Sequence, residues 1–351
     1  MNFDVVVIGG GSAGYAAASK AQSKGAKVAV VDKGPLGGLC ILRGCMPTKT
    51  ILRSSNILAL MRRAKEFGLS VQNPSADLPS INDRKNRLIT EFANYRIEQL
   101  NDPRFTLIKE NAFFLSQHEL KVGQRIIRAK NFIIATGSTI AEFQVPGLTE
   151  SGFLTSDDIL ELRKVPTSMI VLGAGPVAVE LAQFFCRIGT RTTLIQRSNH
   201  ILSKGDEDLA RPVEERFREE GMVVYTETKL LRVESFGDSH TVFFTHGGKE
   251  KAVTSKTILQ ALGRKPNIDG LNLSAALVNT NKGRVEVDQE MRTNIPHIYA
   301  VGDVNGLHEI VHIAIEQGEI AAHNATQRDP RRFNQRLKTS ITFTDPPVAS
   351  V

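Results

Sequence analysis

The sequence predicts an α/β fold built from two doubly wound parallel sheets with helices on both faces, and three observations carry that expectation. An apolar run at residues 3–8 leads into Gly9-Gly10-Gly11-Ser12-Ala13-Gly14 and then into an alanine-rich helical stretch. The same succession returns at 168–172, followed by Gly173-Ala174-Gly175-Pro176-Val177-Ala178 and a second helical stretch. Elsewhere, short strand-like runs alternate with helical segments, and the length of 351 residues suits two or three domains.

The first glycine turn has the spacing G-x-G-x-x-G at Gly9, Gly11 and Gly14. A tight turn, the close approach of a pyrophosphate and close helix packing each require a residue without a side chain there. The phosphates would rest on the N–H groups of the helix that opens at Ser12 and Ala13. The next strand, 27–31, ends at Asp32 followed by Lys33, about where a ribose-binding carboxylate belongs. This part of the chain therefore reads as a dinucleotide site.

Next comes Gly37-Gly38-Leu39-Cys40-Ile41-Leu42-Arg43-Gly44-Cys45, then Met46-Pro47-Thr48-Lys49. A ring closed by cysteines so near in sequence removes little chain entropy, so the pair reads as a redox disulfide rather than a structural one. Residues 45–62 and 82–100 have helical character. Residues 68–81, with Pro74 and Pro79, read as a loop, and 105–135 as short alternating strands closing on Thr136-Gly137.

The second glycine turn is a G-x-G-x-x-A variant at Gly173, Gly175 and Ala178, with Pro176 and Val177 opening a helix that carries Glu180. Its following strand, 191–195, ends in Gln196-Arg197 and not in an acid. A cation without the carboxylate suits a 2′-phosphate, so NADPH is expected over NADH. Cys186 lies in an apolar helical run and reads as a buried, inert thiol. Gly263-Arg264 follows the remaining strands, and Gly302-Asp303 precedes a helix from about His308 to Thr326.

Composition narrows the classes. The net charge of +7 comes from dispersed basic residues without interleaved aromatics, which argues against nucleic acid. No run reaches the roughly 18 apolar residues of a membrane helix, and no leader-like segment precedes the strand at Phe3. With three cysteines, one pair and a bystander, a soluble cytoplasmic protein is expected.

With these motifs in order, the chain resembles the class I pyridine nucleotide–disulfide oxidoreductases, the group of dihydrolipoamide dehydrogenase, glutathione reductase and mercuric reductase. The likeness runs from Gly9 through the paired cysteines, Ala135-Thr136-Gly137, the second glycine turn, Gly263-Arg264 and Gly302-Asp303 to Phe343-Thr344-Asp345-Pro346. It implies two Rossmann-like domains, the second inserted into the first: FAD at 1–148 and 266–334, and NAD(P)H at 149–265. FAD would meet Gly38, Asp32 and Gly302-Asp303. Cys40 would be the thiol that meets a small disulfide or dithiol substrate, and Cys45 the thiol beside the flavin. Lys49, paired with Glu180, would hold positive charge near the flavin N5.

Three departures stand out: Gly-Gly-Leu-Cys at 37–40, Leu42-Arg43 between the cysteines, and Pro176 where relatives carry a gating tyrosine. Residues 335–351 resemble only the start of the family's interface domain, so the chain reads as truncated, with a homodimer expected of the full-length protein. Ile310-Val311-His312-Ile313-Ala314 resembles the dihydrolipoamide dehydrogenase branch, whereas Gln196-Arg197-Ser198 resembles mercuric reductase. A redox sensor that keeps FAD without turnover is the reading from another class.

Overall fold

The computed structural model describes residues 1–336 and 338–351. The chain forms two compact units: residues 1–42, 90–140 and 264–338 make one, and residues 43–89, 141–263 and 339–351 the other. Each has the Rossmann-like arrangement.

In the first unit the parallel strands run Phe105–Ile108, Val28–Val31, Asn2–Ile8, Arg125–Ile134 and Ile298–Ala300. The Arg125 end continues into the antiparallel strands Glu119–Val122 and Ala112–Ser116. The strand Asn2–Ile8 is apolar throughout its centre because both faces of the sheet are covered. Val5 and Val7 pack with Ala17, Ala18 and Ala321 of the helices Ser12–Ser23 and Val311–Thr326. Val6 and Ile8 enter a different core with Phe114, Phe132 and Val304.

In the second unit the parallel order is Val223–Tyr225, Arg191–Ile195, Ser168–Leu172 and Thr257–Gln260, with an antiparallel meander at 229–255. The helix Pro176–Ile188 buries Leu181, Phe184 and Phe185. The helix Cys45–Arg62 adds Ile51, Leu52 and Leu58 to the same core. That shared apolar face is why residues 43–89, assigned from sequence to the first domain, group with the second unit.

The helix Leu78–Leu100 starts inside the segment read as a loop. Pro79 falls in its first turn, where the missing N–H has no helical partner to lose. Near the other end of the chain, Ser340–Thr342 pairs antiparallel with Val348–Ser350. No described helix is long and apolar enough to cross a membrane.

Candidate functional site

The first glycine turn is built by close backbone packing. A Cβ at Gly14 would lie 1.8 Å from the Gly9 carbonyl oxygen, and one at Gly9, whose φ is +105°, would lie 2.4 Å from that of Ala135. Gly11 differs, since a Cβ there would meet only the Gly38 Cα, at 3.7 Å. The helix that follows has no side-chain cap. Its first-turn N–H groups are therefore available to an anion, and the absence of a side chain at Gly11 keeps them approachable, which suits a pyrophosphate.

Asp32 belongs to this turn more tightly than its motif implies. Its carboxylate accepts the Gly10 N–H at 2.6 Å and the Gly34 N–H at 2.7 Å. Each oxygen still has lone-pair capacity for a ribose hydroxyl. Lys33 is exposed beside it.

Elsewhere in the unit, Arg264 Nε donates to Ser138 Oγ at 2.9 Å, and that hydroxyl donates to Asp303 Oδ2 at 2.7 Å. The Thr136 hydroxyl donates to the Asn267 carbonyl at 2.6 Å, and the Asn267 N–H returns to the Gly137 carbonyl. Gln317 accepts the Gly302 N–H at 2.8 Å and also Asn305 Nδ2 at 2.9 Å. Gly302 abuts Ala13, with any added Cβ only 3.3 Å from that methyl. Thus the candidate residues Gly302, Asp303, Thr136, Gly137 and Arg264 are tied together by Ser138, Asn267 and Gln317, which carried no motif and were missed.

Cys40 lies in the short helix Gly38–Leu42, and Cys45 opens the helix Cys45–Arg62; both are half-buried thiols. No side chain caps that second helix, so its N-terminal N–H groups favour a thiolate at Cys45. Arg43, between the cysteines, forms an ion pair with Asp157 at 3.3 Å while its side chain stays 56% exposed.

One turn after Cys45, Lys49 Nζ meets Glu180 Oε2 at 2.7 Å, joining the Cys45–Arg62 helix to the helix of the second glycine turn. The Glu180 side chain is 3% exposed and that of Lys49 34%. A carboxylate so buried persists as an anion only when paired. Its other oxygen, Oε1, accepts the Phe343 N–H at 2.8 Å.

The second turn repeats the first in outline. Gly173 has φ +99°, and a Cβ there would lie 2.5 Å from the Ala261 oxygen. Gly175, Pro176 and Val177 are exposed at an uncapped helix start, and Gly175 faces open space. Arg197 is exposed just beyond Ile195, the partner of Leu172 on the neighbouring strand, and forms no ion pair among the described residues. Gly263 has φ +136° and open space around its missing Cβ.

Cys186 is set apart from this chemistry. Burial pushes its thiol up to about 11, so it stays protonated at neutral pH. His312 and Glu316 are exposed on the helix Val311–Thr326.

A family model described as pyridine nucleotide-disulphide oxidoreductase matches residues 3–318. The chain is similar to a mercuric reductase of Staphylococcus aureus, with 36% identity over 352 residues that cover 100% of this chain and 64% of that protein. It is 34% identical to the dihydrolipoyl dehydrogenase of Bacillus subtilis (strain 168), covering 99% of this chain and 76% of the other. It also superposes on the Cu(II) complex of the HOCl-induced flavoprotein disulfide reductase RclA from Escherichia coli, with a TM-score of 0.85 and 25% identity, over 99% of this chain and 76% of that one. The chain spans 64% of the length of the S. aureus mercuric reductase and 56% of the Bacillus cereus one.

Proposed function

Because the chain belongs to the pyridine nucleotide-disulphide oxidoreductase family, we propose that it carries electrons from NADPH through FAD to the Cys40–Cys45 pair, and from there to a small disulfide-like acceptor. The observation that carries this reading is the ion pair between the half-buried Lys49 and the buried Glu180, set one helical turn from Cys45. FAD, when bound, supplies two-electron chemistry between the nicotinamide and the thiols.

The uncapped turn at Gly11, Ser12 and Ala13 would hold its pyrophosphate and Asp32 a ribose, with Asp303 oriented by Ser138. Gly175, Pro176 and Val177 would hold the nicotinamide nucleotide, and Arg197 favours a 2′-phosphate, hence NADPH over NADH.

The thiol chemistry balances within the chain. The Cys40 thiolate attacks one sulfur of the acceptor; the acceptor S–S bond breaks, one half leaves as a thiolate and takes a proton, and a mixed disulfide forms. Cys45, deprotonated at its helix N-terminus, then attacks the Cys40 sulfur, releasing the second half as a thiol and closing the Cys40–Cys45 disulfide. Two electrons have passed from the dithiol to the acceptor. Lys49, held by Glu180 at 2.7 Å, presents its amine one turn from Cys45.

A dihydrolipoamide dehydrogenase-like substrate, a disulfide or dithiol, is the leading assignment; the mercuric reductase likeness of Gln196-Arg197 makes mercuric ion the competing acceptor. We assign a homodimer to the protein, as its relatives suggest. The test is anaerobic titration of the FAD-reconstituted chain with NADPH and NADH. Two-electron reduction is expected to produce a long-wavelength thiolate–flavin absorbance that Cys45→Ser abolishes. Reduction without that band would replace the enzyme reading by a flavin-binding sensor; where the band forms, lipoamide, glutathione disulfide and mercuric ion as acceptors separate the substrates.

A further inference from the structure

We propose that Phe343 is a positioning residue for the Lys49–Glu180 pair, holding the acid through its backbone and the base through its ring. The pair's part in flavin reduction rests on the function proposed above; the contact does not.

The helix Pro176–Ile188 is apolar inward except for one stripe, Glu180, Gln183 and Arg187, spaced i, i+3 and i+7 and all 2–3% exposed. All three are engaged by residues 343–345. The Phe343 N–H donates to Glu180 Oε1 at 2.8 Å. The Asp345 N–H donates to Gln183 Oε1 at 2.8 Å, and Gln183 Nε2 donates back to the Asp345 carbonyl at 2.9 Å. Arg187 Nη2 reaches the Asp345 carboxylate at 2.7 Å. Successive turns of one helix thus fix the register of this segment.

The consequence falls on Lys49. Glu180 has both oxygens occupied, one by the Phe343 N–H and one by Lys49, so its carboxylate is held in one orientation. Lys49 is a flexible cation with a partly exposed side chain, which a single acceptor does not confine. Its Nζ also lies 5.0 Å from the centre of the Phe343 ring, within cation–π range. One residue therefore limits the freedom of both members of the pair.

The test compares Phe343→Leu, which keeps apolar bulk without a π face, with Phe343→Tyr, which keeps the ring. Phe343→Leu is expected to slow FAD reduction by NADPH about two- to fivefold, the worth of one partly exposed cation–π contact, with nucleotide KM unchanged. The midpoint potential of bound FAD, titrated with a chemical reductant, is expected to become more negative, and Phe343→Tyr is expected to restore both values. In the chain without cofactor, amide exchange at Phe343 is expected to be slow and to become fast in Glu180→Ala. An unchanged rate and potential in Phe343→Leu, or equal exchange with and without Glu180, would overturn the proposal. Should NADPH fail to reduce the wild-type flavin, the functional reading fails, while the chemically titrated potential and the amide exchange still decide the contact.

Discussion

Gly11→Ala is the most discriminating change available in the first unit, because the fold and the ligand make opposite demands on it. Gly11 has φ −67°, which alanine adopts freely, and the added Cβ would meet only the Gly38 Cα, at an ordinary 3.7 Å. The folded chain therefore has no clash to relieve, and reduced unfolded-state entropy offsets or exceeds any loss, by about 0.4–1 kcal/mol. Gly14→Ala is the contrasting control. Its Cβ would sit 1.8 Å from the Gly9 oxygen, so backbone must move by roughly 1 Å, at a cost of about 3 kcal/mol or more.

For FAD the comparison differs. On the proposed assignment a methyl at Gly11 would stand where the pyrophosphate approaches the uncapped helix N-terminus, and displacing the contact would cost about 1–3 kcal/mol, roughly fivefold to 150-fold in Kd. Urea melts of the cofactor-free chain and fluorescence titration with FAD measure the two effects separately. Gly11→Ala is expected to melt like wild type and bind FAD weakly, and Gly14→Ala to melt early. A Gly11→Ala chain with undiminished FAD affinity would refute the assignment of the turn to the pyrophosphate.

Three further outcomes are expected. Arg197→Glu should lower kcat/KM for NADPH at least tenfold while leaving NADH within about threefold, because the change would place a carboxylate against the 2′-phosphate that Arg197 is proposed to meet; stopped-flow flavin reduction reads the ratio. Arg187→Met should cost about 2–3 kcal/mol in a urea melt, since it leaves Glu220 and Asp345 without their cation and their partial exposure (17% and 39%) discounts the full buried-pair penalty. Iodoacetamide at pH 8 should label Cys186 only after unfolding. The folded thiol, pushed up to about 11, stays protonated there, whereas the unfolded one titrates near 8.5; that ordering also means the fold loses stability as pH rises from about 8.5 towards 11.

Much of this was legible because glycine turns and strand-to-helix transitions are local. Gly9, Gly11, Gly14, Gly173 and Gly175 occupy the positions their spacing implies, and Lys49 meets Glu180, 131 residues away in sequence. What sequence did not convey was tertiary. Asp32 is drawn onto the Gly10 and Gly34 amides, an arrangement no motif encodes. Ser138, Asn267 and Gln317 are ordinary polar residues whose partners lie far along the chain. Gln183 and Arg187 did leave a trace, as polar positions at helical spacing from Glu180 in an otherwise apolar run; only the partner segment at 343–345 gives that stripe its meaning.

The two-faced strand Asn2–Ile8 carries a consequence for folding. A strand that is polar on one face reports a one-residue slip at once, because the slip buries charge; Val5, Val6 and Val7 feed two apolar cores and would report almost nothing. Its alignment with Val28–Val31 and Arg125–Ile134 is therefore keyed from its two ends: Asp4 accepts the Lys27 N–H at 2.8 Å and pairs with Lys130 at 2.8 Å, and Gly9 takes a φ of +105° against the Ala135 carbonyl. The turn that reads as a nucleotide cradle is, on this count, also a notch that helps index the sheet, and a side chain at Gly9 would disturb the strands as well as the cradle.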